Sequence, residues 1–211
     1  SMGCSVADVT GDGRPDLYVT NLGPNRLYRN DGNGSFTNIA AKAGVALDSA
    51  DAGSVFFDMD RDGDLDLYVA SYIVEEREGK PPVMVGDIAT YGSPLHYPAA
   101  PDHLFENTGD GRFVNVSESS GIRSPSSAAG LGVIAADLNG DGHQDLYVAN
   151  DASANFLFIG DGSGHFTEEA LLRGLAFSAG GERQGSMGID VADHDDDGLP
   201  DIVVTNFDGE Y

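Results

Sequence analysis

Short apolar segments recur along this chain, and glycine, asparagine or aspartate residues bound each of them. The segment Leu-Tyr-Val at Leu17 returns at Leu67 and Leu146, and Ile-Val-Val takes its place at Ile202. Runs of about four to eight β-branched and aromatic residues between turn residues are typical of β-strands. Glycine-rich turns, such as the one at Asp31, separate further runs of the same kind. The pattern therefore predicts an all-β protein built from short antiparallel strands.

The predicted strands are organised in a repeating unit of four strands. The stretch after the fourth strand is rich in alanine or serine and is too short for an independent helix, so a single helical turn is expected there. Four antiparallel strands in about 50 residues is the arrangement of a β-propeller blade. We expect one propeller region over residues 1–211 with about three and a half blades. These blades are unit 1 (3–44), unit 2 (51–121), unit 3 (130–174) and the incomplete unit 4 (185–211).

Unit 2 is longer than the others because residues 72–100, approximately, form an insertion that lacks the repeat pattern. Two interpretations are open. A loop that departs from a rigid scaffold often carries function, but a long loop can also be a surface decoration. The polar and aromatic residues of the insertion are Glu75, Glu76, Glu78, Tyr91, His96 and Tyr97.

An acidic segment of nine residues lies between the first and second predicted strands of every unit. These segments are called loop 1 (8–16), loop 2 (58–66), loop 3 (137–145) and loop 4 (193–201), and their residues are numbered as positions 1 to 9. Positions 1, 5 and 9 are aspartate in all four loops, and position 6 is glycine. Alternate carboxylates on a tightly turning loop converge on one point, and the carbonyl of position 7 can turn inward with them.

Oxygen donors in this number favour Ca²⁺, which takes about six to eight oxygen ligands, and up to four ions are expected. Magnesium prefers fewer carboxylates, while zinc and copper prefer histidine or cysteine. Position 12 is valine in each case, so the glutamate that closes an EF-hand is missing. The alternative is that the loops are acidic hairpin turns, because Asp-Gly favours turns. The predicted ligands, with position 7 acting through its main-chain carbonyl, are Asp8, Thr10, Asp12, Arg14, Asp16, Asp58, Asp60, Asp62, Asp64, Asp66, Asp137, Asn139, Asp141, His143, Asp145, Asp193, Asp195, Asp197, Leu199 and Asp201.

The charge of the chain excludes some classes of partner. With 35 acidic and 11 basic residues, the formal net charge is −24. Nucleic acids and anionic membrane surfaces would repel such a chain, so neither is expected as a partner. No apolar run approaches the roughly 18 residues of a membrane-spanning helix, so membrane insertion is not expected. The single cysteine excludes an internal disulfide framework.

The unit Asp-x-Asp-x-Asp-Gly-x-x-Asp-Leu-Tyr-Val resembles the FG-GAP or VCBS repeat, which builds the calcium-bearing propeller of integrin α chains. Further segments resemble the propeller of the ASPIC/UnbV (cartilage acidic protein-like) family. Members of that family are typically exported, so the resemblance implies an extracellular, periplasmic or cell-surface location, although no signal peptide is visible in this chain. The segments that carry the second resemblance are Tyr91–Pro94, Pro101–Asn107, Gly130–Gly132, Asp145–Asp151, Met187–Gly188 and Val204–Phe207.

Two classes of function follow from these observations. We favour a calcium-binding propeller that acts as an extracellular interaction or adhesion scaffold for a protein or glycan ligand, with Ca²⁺ rigidifying the hairpin between the first two strands of each blade. The alternative is a polysaccharide lyase or hydrolase with calcium near the sugar, since propellers also carry such chemistry. No Ser-His-Asp order, phosphate loop or nucleotide fingerprint is visible, so an enzyme is the less favoured of the two classes. Self-association or further blades would complete the arc, because an open end leaves unpaired strand edges.

Overall fold

The computed structural model describes residues 1–74, 83–90 and 92–207. In these ranges the protein consists mostly of β-structure arranged in several antiparallel sheets. The all-β prediction is confirmed, and the closure of the units into a propeller stays a prediction. Among the described residues, no helix has the length and apolar character needed to span a membrane.

Unit 1 forms a four-stranded sheet with the strand order β1-β2-β4-β5. A further short strand, β3, leaves this sheet and pairs with the first strand of unit 2, with Leu22 opposite Ala50. The sequence pattern did not predict this strand, because three residues between two turns carry no periodicity. The strands of unit 1 are β1 (Gly3–Ala7), β2 (Asp16–Thr20), β3 (Leu22–Pro24), β4 (Arg26–Gly32) and β5 (Ser35–Asn38).

Unit 2 forms a five-stranded sheet with the order β11-β10-β7-β6-β3. Its first strand begins at Asp48, three residues before the predicted start of unit 2 at residue 51, and this extension supplies the partner of β3. Inside the insertion, two short strands pair with each other as a separate hairpin. The strands of this unit are β6 (Asp48–Phe57), β7 (Asp66–Ile73), β8 (Val83–Val85), β9 (Ile88–Thr90), β10 (His103–Asn107) and β11 (Phe113–Asn115).

The rest of the insertion is described only in part. A short 3-10 helix covers Pro94–His96, and a single β-bridge joins Ile73 to Ala99. His96 is exposed, and its Nδ1 lies 3.1 Å from the carbonyl oxygen of Ser93. Four of the residues proposed for this insertion lie outside the described residues, namely Glu75, Glu76, Glu78 and Tyr91.

Unit 3 repeats the four-stranded arrangement in the order β12-β13-β14-β15, and β16 adds to the far end of β13. In unit 4, the first two strands pair as a two-stranded sheet, and residues 208–211 lie outside the described residues. The strands are β12 (Ala129–Ala136), β13 (Asp145–Ser153), β14 (Phe156–Gly160), β15 (Phe166–Glu168), β16 (Gln184–Gly185), β17 (Ile189–Ala192) and β18 (Asp201–Val204).

Helical turns follow the fourth strand in two of the three places where they were predicted. The helices α1 (Ala40–Ala43) and α2 (Ala170–Arg173) each span a single turn and end at a glycine in the left-handed conformation, which only glycine adopts without strain. Residues 117–121 form turns without a helix, and the hydroxyl of Ser117 accepts the main-chain N–H of Leu104 at 2.9 Å.

Neighbouring units pack face to face through apolar side chains at matching positions. A tyrosine of the second strand and a leucine of the third strand face the second strand of the next unit in each case. These pairs are Tyr18 and Leu27 against Leu67 and Val69, Tyr68 and Leu104 against Leu146 and Val148, and Tyr147 and Leu157 against Ile202 and Val204. The core is therefore a series of equivalent interfaces between successive units, as stacked repeats require.

The first strands of successive units lie side by side. A Cβ atom on Gly3, Gly53 or Gly132 would lie 2.4, 2.7 or 2.7 Å from a carbonyl oxygen of the next unit. In each case that oxygen belongs to the residue immediately before the corresponding glycine of the next unit. Only a residue without a side chain allows this approach, so one glycine in the first strand of each unit sets the spacing between units.

Candidate metal centre

Position 9 of each acidic loop fastens the loop to the sheet. In loop 2, Asp66 Oδ2 accepts the main-chain N–H of Met59 at 2.9 Å, and Oδ1 accepts the N–H of Asn107 in β10 at 2.8 Å. Asp16 and Asp145 make the same two contacts in loops 1 and 3. These three carboxylates are buried, with exposed fractions of 0–1%. Position 9 therefore ties the loop to the third strand, and each oxygen keeps a lone pair for a further ligand.

Positions 1 and 5 shape the turn through main-chain hydrogen bonds. The aspartate at position 1 accepts the N–H of the glycine at position 6 in all four loops, at 2.6, 3.2, 2.8 and 2.9 Å. The aspartate at position 5 accepts the N–H of position 7, at 3.0, 2.9, 2.8 and 2.8 Å. All four loops thus share one backbone framework, in which the carboxylates are held on the inside of the turn.

The backbone of position 4 is left-handed in every loop. Glycine occupies this position in loops 1 and 3, whereas Arg61 and Asp196 adopt φ angles of 68° and 60° in loops 2 and 4. A side chain in this conformation costs roughly 1–2 kcal/mol. Loops 2 and 4 therefore hold the turn at a conformational cost that loops 1 and 3 avoid.

Loop 2 brings three acidic groups together. Carboxylate oxygens of Asp58, Asp60 and Asp66 all lie within 4.8 Å of one another. Burial raises the pKa of Asp66 to about 7, and the negative charges of Asp60 and Asp62 add to this rise. The pKa of Asp60 is raised as well, first by burial and then by its acidic neighbours. A divalent cation would offset both the repulsion and the desolvation of these groups.

Loop 4 forms a second cluster of the same kind. Carboxylate oxygens of Asp193, Asp195 and Asp197 lie within 4.8 Å of one another, and all three residues are exposed. At position 9, Asp201 accepts the main-chain N–H of His194 at 2.9 Å, as its counterparts in the other loops do at position 2. The loop thus combines the shared framework with a cluster open to solvent.

Loops 1 and 3 do not bring three acidic groups together. In loop 1, Thr10 occupies position 3, and the position 5 carboxylate of Asp12 pairs with the guanidinium of Arg14. In loop 3, the amide of Asn139 donates to Asp141 Oδ2 at 2.9 Å, and this hydrogen bond lowers the pKa of Asp141. Position 3 is therefore what separates the loops, since only aspartate there adds the third carboxylate.

The residues at position 7 were predicted to act through their main-chain carbonyl groups. Their side chains differ in their contacts and in their exposure to solvent. Arg14 Nε donates to the carbonyl of Asn30 at 2.8 Å. The ring of His143 packs against Gly162, whose Cβ would lie 2.2 Å from the ring Nδ1. Asp64 is half-buried and Leu199 is exposed. Ligation by position 7 stays a prediction.

Neighbouring loops are connected to one another. Arg61 of loop 2 donates from Nη2 to the carbonyl of Gly142 in loop 3 at 2.9 Å. Asn107, whose main-chain N–H is bound by Asp66 of loop 2, donates from Nδ2 to the carbonyl of Val9 in loop 1 at 3.0 Å. The sequence analysis missed Asn107, although an asparagine also stands at the corresponding place in unit 1, as Asn30. A change in one loop can therefore reach the next unit through main-chain contacts.

The donor atoms of loops 2 and 4 fit a hard divalent cation. Every convergent side-chain atom is a carboxylate oxygen, and the clusters contain neither imidazole nor thiolate. Ca²⁺ is bound by such oxygen sets, whereas zinc and copper prefer nitrogen or sulfur ligands. Two acidic triads in the described residues could therefore hold metal ions.

The fold and these loops define a class: an all-β repeat protein with an oxygen-rich hairpin loop at the same point of each unit. The chain belongs to the FG-GAP-like repeat family, whose pattern matches residues 8–69, 87–148 and 137–204. The predicted resemblance to FG-GAP repeats is thereby confirmed.

Among individual proteins, the chain is similar to cartilage acidic protein 1 of Mus musculus, with 29% identity over 219 residues. The alignment covers 97% of this chain and 28% of that protein, so the chain spans little more than a quarter of the relative's length. The resemblance to the cartilage acidic protein group is confirmed at the level of distant homology.

A solved structure of an Agrocybe aegerita lectin, described as recognising non-reducing terminal N-acetylglucosamine, is similar in fold. The TM-score is 0.50 at 20% sequence identity, and the match covers 94% of this chain and 45% of the lectin chain. At this identity the likeness concerns the fold alone.

Proposed function

We propose that this chain is a calcium-binding scaffold of propeller blades that presents a surface to an extracellular protein or glycan. Ca²⁺ occupies the acidic loops and rigidifies the hairpin between the first two strands of each blade. Units 1 to 3 are blades, unit 4 is the beginning of a further blade, and residues 72–100 are an insertion in the second blade. The location outside the cell rests on the family resemblance.

One observation carries the calcium proposal. In loops 2 and 4, three carboxylates reach within 4.8 Å of one another on a turn whose shape main-chain hydrogen bonds already hold. Like charges at this spacing repel, which makes the arrangement unfavourable without a counter-charge. Loops 1 and 3 share the framework and contribute weaker sites, in which Thr10 and Asn139 supply neutral oxygens.

The equivalent contacts between units support the propeller arrangement. Each first strand lies beside the next through a glycine, and each tyrosine-leucine pair packs on the following sheet. Identical relations between successive units generate a regular arc, and an arc of four-stranded sheets is the geometry of a propeller.

The edge opposite the acidic loops offers room for a ligand. A cleft of about 400 Å³ is lined by Ser153, Asn155, Phe156 and Phe177, where β13 turns into β14. A second cleft of about 480 Å³ lies between the start of β6 and the end of β7, beside His103. Hydroxyl and amide groups next to an aromatic ring suit sugars as well as polar peptide segments, which is why both ligand classes belong to the proposal.

Thermal unfolding tests the calcium proposal. We expect millimolar Ca²⁺ to raise the melting temperature and chelation to lower it, at matched ionic strength, because only the folded state assembles the loops. Magnesium at the same concentration is the control and is expected to have a smaller effect. The double variant Asp58→Asn, Asp193→Asn is expected to lose most of the calcium response. An unchanged melting temperature in Ca²⁺ would contradict the proposal.

A further inference from the structure

A second polar network, at the edge opposite the acidic loops, joins the ends of the second and third strands. In each unit, the residue just before the third strand accepts the main-chain N–H of the residue that stands four positions after the leucine of the Leu-Tyr-Val segment, at 2.9, 2.8 and 2.8 Å. The same side chain is hydrogen-bonded to the tyrosine hydroxyl of that segment, at 3.0, 2.7 and 3.0 Å. The three residues in this place are Asn25, Asp102 and Asn155.

Between units 1 and 2, this network crosses to the next unit. Asn25 donates from Nδ2 to Asp51 Oδ2 at 2.7 Å, and Ser71 donates from Oγ to Asp51 Oδ1 at 2.7 Å. Asp51 lies in β6 directly opposite Ser71 in β7. A buried chain of three side chains thus links the two units.

Between units 3 and 4, different residues build the same link. Asn155 donates from Nδ2 to Ser186 Oγ at 3.1 Å, and Ser186 donates in turn to Asn206 Oδ1 at 3.0 Å. In both junctions the asparagine amide is the donor that reaches into the next unit.

The junction between units 2 and 3 lacks both parts of this link. Gly130 stands opposite Asn150, where Asp51 stands opposite Ser71, and it offers no side chain. Asn150 is fully buried, and its Oδ1 has no hydrogen-bond partner among the described residues. Asp102 replaces the asparagine, and its carboxylate accepts from Tyr68 Oη and from a main-chain N–H. An ionised carboxylate has no donor to offer the next unit.

We propose that a proton bound by Asp102 is the missing link at this junction, so that the contact between units 2 and 3 depends on pH. A Cβ on Gly130 would lie 3.0 Å from the Ala70 Cβ and 3.3 Å from each of two acceptors, Asp102 Oδ1 and the Ser71 carbonyl oxygen. A protonated Asp102 takes the role of the amide of Asn25 or Asn155 and donates toward Asn150. The ionised form leaves only acceptors in a buried space, which is unfavourable.

The charged groups around Asp102 are compatible with a bound proton near neutral pH. Burial raises the pKa of Asp102 to about 7, and Asp51 acts in the same direction, while hydrogen bonds from Tyr68 and the charge of Arg123 oppose it. The adjacent His103 does not compete as a cation, because burial and Arg123 lower its pKa to about 4.

The strands of unit 3 at this junction are β12 and β13. β12 contains no titratable residue. On β13, Asp151 accepts the hydroxyl of Tyr72 at 2.7 Å. The pKa of Tyr72 is raised above 10 by burial and by Asp151, so Tyr72 stays neutral across the physiological range.

The sign of the effect on stability follows from proton binding. In the unfolded chain the carboxyl has its ordinary pKa of 3.8, so between pH 4 and pH 7 the folded state holds more protons than the unfolded state. The contribution of Asp102 to stability is therefore complete below about pH 4 and is lost as the pH rises toward 7. Burial raises the pKa of Asp66 in loop 2 to about 7, in the same range, so the test is made in saturating Ca²⁺, which keeps this carboxylate ionised.

The proton itself can be observed by NMR. In the wild-type chain with saturating Ca²⁺, the side-chain carboxyl ¹³C resonance of Asp102 is expected to titrate with a midpoint near pH 7. Asp110, an exposed aspartate in the β10–β11 turn, serves as the internal control. A midpoint near pH 4 for Asp102 would overturn the proposal, and it would leave the calcium proposal untouched, because that proposal concerns the opposite edge.

Two pairs of variants test the link. Asp102→Asn introduces the residue that units 1 and 3 have at this place. This variant is expected to abolish the fall in melting temperature between pH 5 and pH 7.5, whereas the control variant Asp110→Asn is expected to retain that fall. Gly130→Ser supplies the hydroxyl that Ser186 provides, and it is expected to lower the Asp102 midpoint by at least one pH unit. Gly130→Ala, which makes the same Cβ contacts without a donor, is expected not to lower it. The same pH response in Asp102→Asn and wild type, or the same midpoint in the serine and alanine variants, would overturn the proposal.

Discussion

Loops 2 and 3 have the same backbone framework and differ in their chemistry. In both, position 1 accepts the N–H of position 6, and position 9 is a buried carboxylate bound to the third strand. Loop 2 adds Asp60 at position 3 and gathers three carboxylates within 4.8 Å. Loop 3 has Asn139 in that place, and its amide donates to Asp141. Position 3 therefore changes the set of convergent carboxylates without changing the framework of the loop.

This separation has a physical basis. The same main-chain hydrogen bonds shape the turn with aspartate or asparagine at position 3. The number of convergent carboxylates then decides how strongly a cation is held, because each added charge increases the attraction. Loss of a framework residue should therefore lower the stability of the protein equally in loops 2 and 3. Exchange of the residues at position 3 should lower the calcium affinity of loop 2 and raise that of loop 3.

The largest expected effect concerns the framework. Asp66→Ala and Asp145→Ala each leave two main-chain N–H groups without their carboxylate partner, and both should lower the free energy of unfolding by roughly 2–5 kcal/mol. Urea denaturation in excess chelator measures this loss without the contribution of calcium. Asp62→Ala, at the exposed position 5, is the control with a smaller effect. Unequal losses in the two loops, or a loss no larger than that of the control, would contradict a shared framework.

Exchanging the residues at position 3 between loops 2 and 3 tests whether this position sets their calcium affinity. Asp60→Asn should weaken calcium binding in loop 2 by roughly tenfold, and Asn139→Asp should strengthen it in loop 3 by a similar factor, because the charge of the ligand set changes by one. Isothermal titration calorimetry of the two single variants and of the double exchange gives the affinities. Affinities that stay at the wild-type values would show that position 3 does not distinguish the loops.

A smaller effect is expected at position 4, where loops 3 and 4 differ. Asp196→Gly should stabilise the protein by about 1 kcal/mol, because it relieves a left-handed side chain. Gly140→Ala should destabilise it by a similar amount, since no atom lies within 4 Å of the added Cβ and only the backbone conformation changes. Chemical denaturation in chelator measures both changes. Two changes of the same sign would mean that backbone strain is not the cause.

The smallest effect concerns Arg14 in loop 1. Arg14→Ala releases the carboxylate of Asp12 for a cation and should raise the calcium affinity of this loop up to about fivefold, because an exposed ion pair contributes about 1 kcal/mol at most. Arg112→Ala, which removes an exposed pair with Asp110 outside the loops, is the control. Calcium titration would argue against the pairing if both variants bound equally.

The sequence predicted the parts of the fold that repeat. Strand segments such as the one at Leu67 and the acidic loops follow from periodicity and from the spacing of aspartates and glycines. The pairing of β3 with β6 did not, because a three-residue strand carries no pattern and depends on the neighbouring unit. The extension of β6 to Asp48 was missed for the same reason.

The sequence predicted which residues form the candidate site. It did not predict which of them also bind the loop to the neighbouring strand. All position 9 residues were expected to be ligands of one kind, whereas the burial of Asp66 and its bonds to two main-chain N–H groups depend on the third strand. The link at Asp102 is similar, because its partners Tyr68, Gly130 and Asn150 come together only after units 2 and 3 have packed. Long-range contacts of this kind leave no local signal in a single sequence.

The most direct test of calcium binding by the acidic loops is a crystal structure of the chain grown in millimolar CaCl₂. It should contain a spherical density peak in loop 2, with oxygen atoms of Asp58 and Asp60 among about six to eight ligands at about 2.3–2.6 Å, and a second peak in loop 4. Ordered water alone between these carboxylates at that calcium concentration would contradict the account.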